Sequence, residues 1–131
     1  MDCPRPAPRY NVPMTPERPE YKSHPLWEEA MRLVHEAYGL ADELRESDPE
    51  AALGLRKAAV SVPARVAGAL TALETADRDA EASGARAALA EVAARADRAS
   101  GGTPSDLSQH ARKLERSVAL ELNSLQEGWI C

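Results

Sequence analysis

Phenylalanine is missing from this chain, and aromatic residues make up only 4% of it. Isoleucine occurs once, and leucine, valine and isoleucine together number 22 of 131 residues. So few β-branched and aromatic side chains cannot fill the two faces of a β-sandwich. No apolar run approaches the roughly 18–20 residues that a membrane span needs, and residues 1–22 hold no apolar stretch of the secretory-signal kind. Cysteine is scarce as well. Cys3 and Cys131 stand at opposite ends of the sequence without CxxC spacing. They fit reduced thiols of a cytoplasmic protein, although two terminal thiols could also pair. The three histidines, His24, His35 and His110, are scattered, and no Cys/His pair has zinc-ligand spacing.

What the chain has in quantity is alanine, 25 residues of it. Alanine is the strongest helix former, and it lets helices approach closely while burying little surface. A net charge of −5 is too modest to force disorder. The composition therefore predicts one thin, close-packed helical domain, and a length of 131 residues fits one domain better than two.

Proline divides the chain. Seven of the ten prolines fall between Pro4 and Pro25, which predicts an extended or disordered tail over residues 1–22 and a helical domain over 23–131. Such a tail serves either as a flexible leader or as a strap that docks on a neighbour. A first helix is expected over 25–46, where Leu26, Ala30, Leu33, Val34, Ala37, Leu40, Ala41 and Leu44 recur at steps of three and four. Asp48-Pro49-Glu50 supplies a cap, a first-turn proline and an early acid for a second helix. Its seam is Ala52, Leu55, Ala59, Val62 and Val66, and Pro63 inside it should kink or break the helix. Thr71-Ala72-Leu73-Glu74 has the form of a capping box, which places a turn at 68–70 and a third helix over 71–99. That helix has the seam Ala82, Ala85, Leu89, Val92, Ala96 and Ala99. After Ser100-Gly101-Gly102, Thr103 and Pro104 open a fourth helix lined by Leu107, Ala111, Leu114, Val118, Leu122, Leu125 and Trp129. Four helices with short connections predict an all-α fold, an antiparallel up-down four-helix bundle.

Charge is uneven along the chain. Residues 23–50 carry eight acids against Arg32 and Arg45, whereas residues 51–73 carry Arg56, Lys57 and Arg65 and no acid. Arg112, Lys113 and Arg116 form a second basic cluster. Clustered cations are what a phosphate backbone requires, so these six are the candidate nucleic-acid contacts. The competing reading makes them solvated side chains or ion-pair partners of the acidic first helix. No glutamate stands three residues before any histidine, and HExxH, GxxxxGK[ST], GxGxxG and GxSxG are all missing. The sequence thus points to no catalytic centre and no cofactor. His35 reads as structural, and His110 as facing solvent.

The run Leu55-Arg56-Lys57-Ala58-Ala59-Val60-Ser61-Val62-Pro63-Ala64-Arg65-Val66-Ala67 resembles the signature of the bacterial four-helix bundle protein family. That family includes proteins encoded by intervening sequences of ribosomal-RNA genes, and relatives of the accessory variability determinant of diversity-generating retroelements. Its pattern is a basic pair, Ala-Ala-Val-Ser-Ile-Pro, a small residue, then Asn-Ile-Ala-Glu-Gly. Here Arg56 and Lys57 match the basic pair, Val62 stands for isoleucine and Pro63 matches, while Arg65 replaces asparagine and Gly68 replaces glutamate. The resemblance implies a non-catalytic homo-oligomer, a pentamer by preference, that binds RNA or a reverse transcriptase. Trp27, Leu120 and Ile130, off or at the ends of the main stripes, are the candidate subunit contacts. The alternative is a protein-only scaffold that uses the acidic first helix and the proline-rich tail to hold a basic partner.

Overall fold

Helix starts are fixed locally, by residues that satisfy amide groups which the first turn leaves unpaired. In the computed structural model, which describes residues 20–123, a 3-10 turn Glu20–Ser23 leads into α1, Pro25–Leu44. His24 caps α1 by accepting from the Leu26 amide through Nδ1 at 3.1 Å, with Pro25 in the first turn. The helix α2, Pro49–Thr71, starts the same way, with the Asp48 carboxylate accepting from the Ala51 amide at 3.1 Å. Because a residue before proline is disfavoured in the helical region, Asp48 turns out of it, and α1 ends two residues short of the expected 46.

Further boundaries differ from the sequence expectation. α2 runs unbroken through Pro63 to Thr71, and α3 begins only at Thr75 and ends at Ala99. Pro63 is buried within the helix, and beside it the Ser61 hydroxyl donates to the Ala58 carbonyl at 2.8 Å. The expected capping box of Thr71 and Glu74 does not form. Thr71 is the last residue of α2, its hydroxyl donating back to the Ala67 carbonyl at 2.8 Å, and Glu74 precedes α3 without a side-chain cap bond. α4, Asp106–Val118, is capped not by Thr103 but by Ser105, which forms a reciprocal box with Ser108. A π-helical turn, Ala119–Asn123, continues α4. Gly101 and Gly102 take φ of +73° and +91°, the left-handed region that glycine enters without penalty, and so end α3.

The arrangement is an all-α four-helix bundle, and no strand occurs among the described residues. α2 packs against α1 and most extensively against α3, α3 against α4, and α4 against α1 in the lightest of these four seams. The core contains the expected stripes almost entire. Leu26, Leu33, Leu55, Val62, Val66, Leu89, Val92, Leu107, Leu114, Val118 and Leu122 are buried, interleaved with alanines. Ala99, assigned to the seam of the third helix, is exposed. Leu125 and Trp129 lie outside the described residues, as do the tail over 1–19, both cysteines and Ile130.

The α2–α3 seam shows what the small residues permit. Where Gly68 and Gly84 lack a Cβ, the Glu81 carboxylate and the Arg65 side chain lie across the helices, in the space those atoms would take or crowd. Arg65 and Glu81 meet there at 2.8 Å.

Candidate interaction surfaces

The six predicted phosphate contacts do not form one surface. Arg56 of α2 turns toward α1, where it pairs with Asp42 at 2.6 Å and lies 5.5 Å from the Tyr38 ring centroid. Arg65, on the opposite flank of α2, pairs with Glu81 of α3. Arg112 of α4 pairs with Asp97 of α3. Lys57, Lys113 and Arg116 are exposed and make no ion pair among the described residues, and no two of them border the same groove. Lys57 faces outward from α2, Lys113 borders a groove of about 280 Å³ with Glu29 and His110, and Arg116 borders one of about 270 Å³.

That last groove, between α3 and α4, also takes Arg112 and adds Arg86, which the sequence reading did not select. Arg86 sits among alanines with no basic neighbour, so no local run marks it. Glu115 approaches it at 4.0 Å. Of the six candidates, Arg112 and Arg116 are the two that share this groove, one turn apart on α4.

His110 occupies a different place from the one expected. Instead of facing solvent it is half-buried between two carboxylates of α1, with Nε2 2.8 Å from Glu29 and Nδ1 against Glu36. These bonds close the light α1–α4 seam. His35, read as structural, is exposed. Among the described residues no three His, Cys, Asp or Glu side chains are placed to hold a metal ion.

At the α3–α4 corner, Ser108 is fully buried, its hydroxyl accepting from the Ser105 amide at 2.8 Å and donating to the Ser105 carbonyl at 3.0 Å. The nearby Ser108 hydroxyl and then the Arg112 guanidinium hold the Asp97 carboxyl below the usual carboxylate range. Only the Arg112 contact closes to hydrogen-bond distance, at Oδ2. Oδ1 is buried without a partner, because the Ser108 hydrogen goes to the Ser105 carbonyl.

The uncovered apolar side chains fall in two places. Tyr38, Leu53 and Val60 are exposed along the α1–α2 seam, at 42%, 52% and 45%. Trp27, a predicted subunit contact, lies on the same side of α1 but is half-buried, with Tyr21 meeting it edge-on at 5.8 Å. Leu73, in the α2–α3 turn, is 99% exposed, and Leu120, another predicted contact, is 73% exposed. Because Arg86 and Ala119 line one groove, the end of α4 lies beside the first half of α3, which places Leu120 toward the end of the bundle that carries Leu73.

No described helix is long and apolar enough to cross a membrane. Comparison of the chain with protein-family models, with curated proteins and with solved structures finds no match.

Proposed function

We propose that this chain is a non-catalytic protein adaptor, a self-associating helical bundle that docks a basic partner on the acids around its α1–α2 turn. The observation that carries this reading is which charges are already paired. Arg56, Arg65 and Arg112 are held in ion pairs between helices, so half of the candidate phosphate contacts already face a carboxylate. Glu43, Glu46 and Glu50 are exposed with no ion pair among the described residues. Arg45 lies among them in the chain, and Arg95 and Arg98 of α3 line a pocket with Leu44, Asp48 and Ala51 beside the turn, so acids outnumber but do not exclude cations there. An open cluster of one sign speeds and orients encounter with a partner of the other. The resemblance in α2 supplies a candidate partner, a reverse transcriptase, because polymerase channels are positively charged.

The test uses an arginine-rich peptide labelled for fluorescence anisotropy. Wild-type protein should bind it at low salt and release it as salt rises, and E43Q/E46Q/E50Q should bind at least tenfold more weakly, the loss of about 1.4 kcal/mol. Equal binding by the two proteins would refute the docking site.

One observation favours a second reading, RNA binding, namely the groove that brings Arg86, Arg112 and Arg116 together. Phosphate contacts there would give RNA affinity that falls with a log–log salt slope of about −0.7 per phosphate on single strands. Replacing Arg86 and Arg116 with alanine should flatten that slope. If wild-type protein has no RNA affinity at low salt, this second reading fails.

A further inference from the structure

Besides its buried face, α1 has a second apolar line. Trp27, Met31, Val34 and Tyr38 fall at i, i+4, i+7 and i+11, one face of a helix, and all four are partly or fully open. Arg56 reaches from α2 to Tyr38 and Asp42, so this line borders the flank of α2 that carries Leu53 and Val60, three residues before Arg56 and four after it. Together they make an apolar strip along the α1–α2 seam, with an aromatic ring at each end of its α1 side.

The chain enters at the head of this strip. The turn Glu20–Ser23 packs on both α1 and α2, and its Tyr21 ring meets the Trp27 ring at 76°. Residues 1–19 are therefore tethered beside Trp27. They hold six prolines, of which Pro13, Pro16 and Pro19 recur at every third position. Three residues is one turn of a polyproline II helix, so this spacing would align the three rings as one ridge. Aromatic-lined apolar strips are the surfaces that such ridges dock on. Lengths agree as well. Six steps of about 3.1 Å give about 19 Å for residues 13–19, and eleven steps of 1.5 Å give about 17 Å from Trp27 to Tyr38.

Charge continues the match. Arg9 lies four residues beyond Pro13, about 12 Å further along an extended ridge. α1 runs six positions beyond Tyr38 to Leu44, about 9 Å at the helical rise, and Glu46 follows in the α1–α2 turn, so the acids there fall within reach of Arg9. A tether this short supplies a millimolar effective concentration, so weak contacts suffice to keep the segment in place.

We propose that residues 13–19 dock on the α1–α2 seam of their own chain as a proline strap, with Arg9 reaching the acids of the α1–α2 turn. The strap rests on the apolar strip and not on the adaptor reading, but if both hold, a basic partner must displace Arg9.

The experiment uses the full chain with Trp129→Phe, which leaves Trp27 as the one fluorescent tryptophan. Iodide quenching is compared between that protein and the same protein carrying P13G/P16G/P19G, changes that lie outside every described helix and outside the bundle core. The strap predicts severalfold stronger quenching in the glycine variant, at every protein concentration. Equal quenching overturns it. So does a difference that vanishes on dilution, because the occupant would then be the segment of a second copy. Trypsin provides an independent reading at Arg9, since Arg5 and Arg18 are followed by proline and resist cleavage. Tyr38→Ser should hasten cleavage after Arg9 severalfold, and unchanged cleavage overturns the strap. Both readouts are independent of any partner, so failure of the strap leaves the adaptor test standing.

Discussion

Asp97 shows how one side chain ties stability to pH. Its carboxyl is held below the usual range by Ser108 and Arg112, so its contribution is present above the unfolded carboxylate pKa, near 3.9, and is lost as pH falls through the lower folded value. Asp97→Asn should therefore lower the urea midpoint at pH 6, and the difference from wild type should shrink below about pH 4. A difference that stays constant with pH would assign the loss to packing. Leu89 tests a different property, the thinness of the core. It and Val92 are the only large side chains that α3 buries, beside Ala82, Ala85, Ala93 and Ala96. Neighbours that small have little side chain to swing into a void, so Leu89→Ala should cost about 3–5 kcal/mol, the upper part of the usual range. Urea unfolding with an unchanged m-value checks this. His110 marks the limit of sequence reading at this scale. Its partners lie 74 and 81 positions away in the chain, and no local pattern announces them.

Among the elements, the four helices were legible because each repeats its apolar residues at steps of three and four. Of the described residues so assigned, all are buried except Val34, Leu40 and Leu44, which are half-buried at the edge of the core, and Ala99, which is exposed. The ends were less legible because the same short polar residues serve both ends of a helix. Thr71 precedes a glutamate by three, as a capping threonine does, yet its hydroxyl bonds backward to Ala67, an alternative open to threonine inside a helix. The true box on α4 has serine where glutamate or glutamine is usual, so Thr103-Pro104 appeared the stronger start. This difference has a measurable consequence. Ser105→Ala should cost about 1 kcal/mol by loss of the cap, whereas Thr103→Ala, exposed in the loop, should stay within about 0.5 kcal/mol of wild type. Thermal unfolding of the two variants side by side decides which residue is the cap. The basic surface was legible only in part, because which cations are neutralised depends on helix neighbours and not on sequence neighbours. Arg56 and Lys57 are adjacent in the chain, yet one is ion-paired across a seam and the other is open.

For the molecule as a whole, small side chains in the core and large ones at one end point the same way. A domain of this size buries a modest fraction of its surface, and one lined so largely by alanine buries less apolar area per residue still. Meanwhile Leu73 and Leu120 stand exposed, and each would contribute by burial about 1.5–3 kcal/mol per subunit if covered. Self-association through this end of the bundle is the arrangement that would cover them, and it is open to direct measurement. Light scattering on the full chain at micromolar concentration should give a mass that is a multiple of 14.1 kDa, with five subunits the number implied by the resemblance in α2. L73D/L120D places charges on the exposed end without touching the core, so it should retain the helical circular dichroism signal and fall to the single-chain mass. A wild-type protein that runs as a monomer refutes the assembly. A variant that keeps the full mass moves the interface elsewhere, with the α1–α2 strip as the next surface to test, since Trp27 lies on it.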